Sequence, residues 1–169
     1  MGKNELMGIR LLVQKDREKI LSIVKNIQYF TAEEIDVAME LVDIVLKDEN
    51  QRDYTIQCLV DHEDQILGYV CYGPTPMTEG AFDLYWIVVD PQYQSQGVGT
   101  KLLDFFEDTV RAMNGRMILI DTSSISPYEA VQRFYSEKGY REVARVPDYY
   151  WTGNDRITFC KKLRDETCR

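Results

Sequence analysis

Hydrophobic and polar positions alternate with two different periods along the chain. Short apolar runs rich in β-branched and aromatic side chains predict strands at residues 9–13, 54–60, 66–72, 81–89, 117–122, 140–146 and 156–163. Apolar positions three and four apart predict helices that start near Asp16, Thr31, Gly97 and Ser126. Residues 31–34 and 126–129 have the spacing of capping boxes, with Thr31 or Ser126 at the cap and a glutamate three positions later.

The order of these elements predicts an α+β fold. The strand at 81–89, the helix at 97–113 and the strand at 117–122 form a βαβ unit, so the two strands should be parallel with a right-handed crossover. Residues 54–60 and 66–72 read as a hairpin around a polar turn. We therefore predict one domain over residues 1–169, with its core at about 8–163. Its sheet should be mixed, largely antiparallel and six- to seven-stranded, with an aromatic loop at residues 147–155.

Two glycines open the helix that follows the strand at 81–89. Gly97 and Gly99 leave backbone accessible where the first N–H groups of a helix lack partners and the helix dipole is positive. Such a turn favours a phosphate or pyrophosphate, although it also fits a tight turn without a ligand. The P-loop pattern is missing, and Leu102 stands where a dinucleotide fingerprint needs a third glycine.

Composition narrows the possible partners. The 169 residues carry a net charge of −8, which argues against nucleic acid and weakly favours a cationic partner. No apolar run approaches the length of a membrane span, and the start lacks the apolar core of a signal peptide. The cysteines have no Cys-x-x-Cys spacing, which favours reduced thiols in a cytoplasmic protein. The single histidine, His62, lies in a polar turn, so we expect no metal and no histidine-based catalysis.

Two motifs resemble those of the GNAT N-acetyltransferase superfamily. Val89-Asp90-Pro91 followed by Gln94-Ser95-Gln96-Gly97-Val98-Gly99 resembles the acetyl-CoA loop of the family. Phe134-Tyr135 and Gly139-Tyr140, within residues 130–140, resemble a second family segment on a later helix. The order of elements resembles the GNAT fold over roughly residues 8–163.

The resemblance implies an N-acetyltransferase that uses acetyl-CoA as co-substrate. The acetyl group would pass by direct attack to a primary amine of a small molecule or peptide. The implied contacts are backbone pairing of the pantetheine arm with Ile87, Val88 and Val89, and pyrophosphate binding by the amides of Gln94, Ser95, Gln96, Gly97, Val98, Gly99 and Thr100. Pro127 departs from the family pattern, because many members carry there an asparagine that bonds the pantetheine arm.

Acyl transfer to an amine must remove a proton from the ammonium and can use a donor for the leaving thiolate, although some members of the family have no dedicated base. Tyr135 matches the general-acid position of the family, although it also fits a core aromatic. Asp83 shares a strand face with Tyr85, Ile87 and Val89 and is the candidate base, with a solvent-exposed carboxylate as the alternative and Glu79 as a substitute. The backbone N–H of Val89 would polarise the thioester carbonyl.

Two segments should flank the acceptor amine, residues 26–31 and the aromatic loop. Tyr149, Tyr150 and Trp151 could stack on a ring or surround a cation, and they fit domain packing or a homodimer contact equally well. Two other functions stay open. One is a noncatalytic acyl-CoA-binding module, and the other is an unrelated binder of nucleotide phosphates.

Overall fold

The computed structural model describes residues 8–164 as one seven-stranded sheet with four helices. The strand order is β1-β2-β3-β4-β5-β7-β6. The predicted α+β class and mixed sheet are confirmed. The elements are β1 (Gly8–Leu11), α1 (Arg17–Lys25), α2 (Ala32–Lys47), β2 (Thr55–Val60), β3 (Ile66–Pro74), β4 (Ala81–Val89), α3 (Val98–Ala112), β5 (Met117–Ser123), α4 (Glu129–Glu137), β6 (Arg141–Trp151) and β7 (Asn154–Lys162).

The described residues divide into two compact units, and β4 and α3 contribute to both. The first unit comprises residues 8–73 and 86–106. Its strands β1, β2 and β3 pair antiparallel, which confirms the predicted hairpin. The apolar face of α1 and α2 packs into one buried cluster with these strands because helical spacing collects their side chains on one side. Members of this cluster include Ile20, Val24, Val42, Ile56, Tyr69 and Val88.

Thr31 caps α2 as predicted. Its hydroxyl accepts a hydrogen bond from the Glu34 N–H at 3.1 Å, and the Glu34 carboxylate accepts from the Thr31 N–H at 2.7 Å. Two N–H groups that the helix cannot pair are thereby satisfied.

Gly68 allows β3 to approach β4 within the first unit. A Cβ atom at position 68 would lie 2.6 Å from the carbonyl oxygen of Val88 and 3.1 Å from Leu102 Cδ1. Only glycine fits this distance, so the close packing of β3, the end of β4 and the first turns of α3 depends on it.

The second unit comprises residues 74–85 and 107–164. Its first strand segment pairs parallel with β5, from Ala81 opposite Met117 to Asp83 opposite Leu119, which confirms the predicted parallel arrangement. Strand β7 pairs antiparallel with both β5 and β6. The buried Glu107 carboxylate is compensated by Lys161, whose Nζ lies 2.7 and 2.8 Å from its two oxygens.

The end of α3 carries a left-handed cap. Asn114 has φ +63°, and the N–H of Gly115 donates to the carbonyl of Val110 at 2.8 Å. The left-handed residue is Asn114. Gly115 is needed for a different reason, since a Cβ there would lie 2.2 Å from Val110 Cγ1.

Two local predictions are wrong. Residues 147–155 are mostly strand, because β6 continues to Trp151 and β7 begins at Asn154. Tyr149, Tyr150 and Trp151 favour extended backbone, and Pro147 is tolerated because β6 is the edge strand. Ser126 does not cap α4: residues 126–128 form a short 3-10 turn without a side-chain cap, and α4 begins at Glu129.

Three cysteines are free thiols. Cys58 and Cys71 are buried and Cys160 is partly buried, each on a strand as predicted, whereas Cys168 lies outside the described residues. Burial raises the pKa of the Cys58 thiol to about 12. Between residues 8 and 164, no helix is long and apolar enough to cross a membrane.

Gly68→Ala should lower the free energy of unfolding by about 1–3 kcal/mol, because the added methyl group collides with backbone that cannot move independently. Chemical denaturation of the two proteins measures the difference. Gly8→Ala is the matched control, since a Cβ at position 8 meets no atom within 4 Å. Equal losses in the two variants would contradict the role assigned to Gly68.

Candidate functional site

A buried carboxylate anchors the glycine-containing loop that follows β4. Asp90 is 4% exposed and accepts hydrogen bonds from Lys19 Nζ at 2.7 Å and from the Gln92 N–H at 3.1 Å. Its own N–H donates to the carbonyl of Leu67 at 2.9 Å, and its carbonyl accepts from the Tyr93 N–H at 2.8 Å. These four bonds determine where the chain leaves the sheet.

The loop backbone turns so that several amides precede α3. Ser95 has φ +59° and Gly97 has φ +82°, both in the left-handed region. The first bond of the helix joins the Lys101 N–H to the Gly97 carbonyl at 3.0 Å. The N–H groups of residues 98–100 therefore have no partner inside the helix.

The surface beside Gly97 is open. A Cβ built at this position meets no atom within 4 Å, so the glycine is not required by packing. Gln94, Ser95, Gln96 and Gly97 are exposed. Left-handed turns of this kind present consecutive N–H groups to an anion, and the helix dipole adds to the attraction.

The three predicted pantetheine-binding residues form the end of β4. Val88 is buried, whereas Ile87 and Val89 are half-buried. The described parallel register of β4 with β5 covers residues 81–83 of β4 and does not include residues 87–89.

Tyr135 lies on α4 and is 4% exposed. Its ring centroid is 5.8 Å from that of Tyr140 and 6.0 Å from that of Phe159. Phe134 adds a third aromatic contact at 5.7 Å. The phenol is consequently held in one orientation by packing, as both of its predicted roles require.

Asp83 lies on β4 in a half-buried position beside two polar side chains of the second unit. Burial and, to a smaller extent, the charge of Asp121 raise the pKa of Asp83, and the Thr75 side chain opposes this shift. A carboxylate with a raised pKa is a stronger base than a solvated one. Glu79 is exposed and precedes β4.

Asp83 and Tyr135 lie on opposite faces of the sheet. Asp83 pairs with Leu119, and Asp121, two residues further along β5, pairs with Thr158 on β7. Side chains alternate along a strand, so Phe159, which Tyr135 contacts, points to the other face.

A polar row continues from Asp121 across the sheet. The Thr158 hydroxyl donates to Asp121 Oδ1 at 2.5 Å, and Arg156 Nε lies 3.8 Å from Asp121 Oδ2. The Arg156 guanidinium carbon is 4.5 Å from the centroid of the Tyr149 ring. Sequence reasoning missed Asp121 and Arg156. The period-two alternation of β5 and β7 could have placed them on one face, but only the register joins them.

Hydrogen bonds fix the turn that carries Tyr149. Buried Asn154 accepts from the Ser123 hydroxyl at 2.6 Å, and the Asp155 N–H donates to the Ser124 hydroxyl at 2.8 Å. Asp148 accepts from the Gly153 N–H at 2.6 Å and has φ +52°. The tip of the β6–β7 hairpin is therefore a rigid support for its aromatic rings.

The remaining predicted features are the turn before α4 and residues 26–31. Pro127 and Ser126 are exposed in the 3-10 turn before α4. In residues 26–31 of the first unit, the Tyr29 and Phe30 rings pack edge to face at 5.5 Å. Within the described range, no three His, Cys, Asp or Glu side chains are grouped as metal ligands would be.

Known proteins share this architecture. The family model described as an acetyltransferase (GNAT) domain matches residues 54–142. A GNAT-family protein from Desulfovibrio desulfuricans has a crystal structure that superposes with a TM-score of 0.88 at 36% identity, covering 94% of this chain and 99% of that one. The S-(2-succino)cysteine N-acetyltransferase of Bacillus subtilis (strain 168) is 25% identical over 140 residues, 78% of this chain and 82% of the relative.

An aminoglycoside 6'-N-acetyltransferase complexed with coenzyme A also shares the fold, with a TM-score of 0.72 at 15% identity, covering 95% of this chain and 99% of that one. The family match spans more than half of the chain and includes the glycine loop, the strand before it and the helix that carries Tyr135. The chain belongs to the GNAT acetyltransferase family.

Proposed function

We propose that this protein transfers the acetyl group of acetyl-CoA to a primary amine of a small molecule or peptide. The observation that carries the proposal is the loop at residues 94–100, where left-handed turns at Ser95 and Gly97 lead directly into the first amides of α3, which have no partner inside the helix. The match to the GNAT acetyltransferase model over the same residues supports it.

In this proposal, the amides of Gln94, Ser95, Gln96, Gly97, Val98, Gly99 and Thr100 bind the pyrophosphate of acetyl-CoA. The backbone of Ile87, Val88 and Val89 pairs with the pantetheine arm as an added strand would. The absence of residues 87–89 from the described β4–β5 register is consistent with this role. Lys19 and Asp90 would act indirectly, by fixing the start of the loop.

The chemistry removes two protons from the acceptor nitrogen, one before the attack and one as the tetrahedral intermediate collapses, and it delivers one proton to the leaving sulfur. Bound acetyl-CoA supplies the acetyl group as a thioester, so one N–C bond forms and one C–S bond breaks. Asp83, directly or through a water molecule, accepts the proton of the acceptor ammonium. Tyr135 donates its phenolic proton to the leaving sulfur, and the second proton released by the nitrogen restores the phenol. Their placement on opposite faces of the sheet suits two substrates that arrive from different sides.

The Bacillus subtilis relative supports a small-molecule acceptor. Its name states that it acetylates S-(2-succino)cysteine, whose amine belongs to an amino acid. We infer an acceptor of similar size for this chain. The half-exposed rings of Tyr149, Tyr150 and Trp151 could contact such an acceptor.

Calorimetric titration should detect acetyl-CoA binding, with ATP as the control ligand. Gly97→Ala should weaken acetyl-CoA binding about tenfold or more, because a methyl group would occupy the open space against which the phosphate lies. Gly153→Ala is the matched control, since Gly153 has φ +85° and equally open surroundings. Absence of acetyl-CoA binding by the folded wild type would remove the proposed function.

Tyr135→Phe should lower kcat about 100-fold or more, because the general acid is lost. Acetyl-CoA affinity should stay near the wild type, since the ring contacts with Tyr140 and Phe159 are kept. Steady-state release of CoA thiol measures the effect. Tyr140→Phe removes the same group from the neighbouring ring and should keep kcat near the wild-type value. An unchanged kcat in Tyr135→Phe would mean that Tyr135 serves packing alone.

Asp83→Asn should lower kcat/KM strongly and abolish the acidic limb of its pH profile. The pKa of Asp83 is raised, so in the wild type this limb should lie above the range of an ordinary aspartate. Asp121→Asn removes a like charge, lowers the pKa of Asp83 and should move the limb to lower pH. Glu79→Gln is the control. If Glu79→Gln lost activity and Asp83→Asn kept it, the base would be Glu79.

A further inference from the structure

Arg156 is a half-buried arginine whose side chain donates no hydrogen bond within residues 8–164. Its side chain is 33% exposed, and its Nε atom is buried without a partner. Its single ion pair, with Asp121, is long at 3.8 Å. A guanidinium carries five N–H donors in a planar fork, so this arrangement leaves its hydrogen-bonding capacity largely unused.

Three other arginines of the chain each contact both oxygens of one carboxylate. Arg10 contacts both oxygens of Asp16 at 2.7 and 3.0 Å. Arg17 makes the same paired contact with Asp43 at 2.7 and 3.0 Å. Arg145, on the same hairpin as Arg156, contacts both oxygens of Glu142 at 2.9 and 3.1 Å. Arg156 lacks such a paired carboxylate although its Nε is buried.

Nearby groups position the Arg156 guanidinium without accepting hydrogen bonds from it. The Tyr149 ring lies 4.5 Å from the guanidinium carbon, which positions the planar group by a cation–π contact. Asp121, its one anionic neighbour, already accepts the Thr158 hydroxyl through Oδ1. The hydrogen bonds at the hairpin tip keep Tyr149 in place. The guanidinium is therefore preorganised for a ligand.

The charged side chains on this face of the sheet follow a fixed order, which determines how a charged ligand would be oriented. Asp83 and Asp121 interact electrostatically on adjacent strands, and Arg156 follows Asp121 on the next strand. A negative end and a positive end thus lie on one sheet face of the second unit. A molecule that carries both an ammonium and a carboxylate matches this order of charges.

We propose that Arg156, supported by Tyr149, binds a carboxylate of the acceptor, so that the protein selects amines that also carry a carboxylate. This inference rests on the proposed acetyltransferase function and narrows its acceptor to amino-acid-like molecules. It revises the expectation of a cationic partner, which the net charge weakly favours. The paired oxygens of a carboxylate fit the guanidinium fork, as they do at Arg10, Arg17 and Arg145.

The test measures CoA release with acceptors that differ only in their carboxylates. The panel contains the common amino acids and their α-amides, with glutamate, glutamine and isoglutamine as one matched set and spermidine as an amine without a carboxylate. The wild type should acetylate carboxylate-bearing members about 10- to 100-fold better in kcat/KM than their amides. Arg156→Gln should erase this preference through a higher acceptor KM and leave the acetyl-CoA dissociation constant unchanged. Arg156→Lys should restore part of it.

Arg141→Gln is the matched control, because Arg141 is an exposed arginine of the same hairpin and its removal changes net charge equally. It should retain the preference. Three results would overturn the inference: amides that react as well as acids, a preference that survives Arg156→Gln, or no turnover of any carboxylated amine while acetyl-CoA binds. Failure of acetyl-CoA to bind would instead remove the proposed function itself.

Discussion

The buried charge of Asp90 is the constraint on which the glycine loop depends. A carboxylate removed from water must be compensated, and here Lys19 and the Gln92 N–H provide the compensation. Because Lys19 lies on α1 and Asp90 follows β4, this ion pair ties the first helix to the end of the central strand. The backbone bond from Asp90 to Leu67 adds a link to β3. The loop consequently starts from a fixed point, even though its own residues 94–97 are exposed.

Alternation along the strands separates the two proposed proton-transfer groups. Asp83 belongs to the face of Asp121 and Thr158, whereas Tyr135 packs on Phe159 at the opposite face. In the proposed mechanism, one face of the sheet would offer the base and the other face the acid. Burial and the charge of Asp121 raise the pKa of Asp83, the proposed base. Ring packing holds Tyr135, the proposed acid.

The sequence predicted the features that are local. Changes in the spacing of hydrophobic positions located the strands and helices. The Thr31 cap could be predicted from four consecutive residues, and the spacing of two motifs indicated the family. Contacts between distant residues could not be predicted. Lys19 pairs with Asp90 across 71 positions, and Arg156 meets Asp121 through the register of β5 and β7. The requirement for glycine at position 68 could not be predicted for the same reason, since the atom that a Cβ would collide with is the carbonyl oxygen of Val88. In residues 147–155, polar and proline residues suggested a loop where aromatic β-propensity prevailed.

The course of β6 has a consequence for solubility. An edge strand eleven residues long with exposed aromatic rings would ordinarily invite another chain to extend the sheet. Pro147 lacks an N–H, and Asp148 turns the backbone to φ +52°, so the hydrogen-bonding row is interrupted in its second half. In its first half, the charged side chains of Arg141, Glu142 and Arg145 disfavour pairing with a strand of another chain. The hairpin can thus expose Tyr149, Tyr150 and Trp151 to water without offering an uninterrupted edge for aggregation.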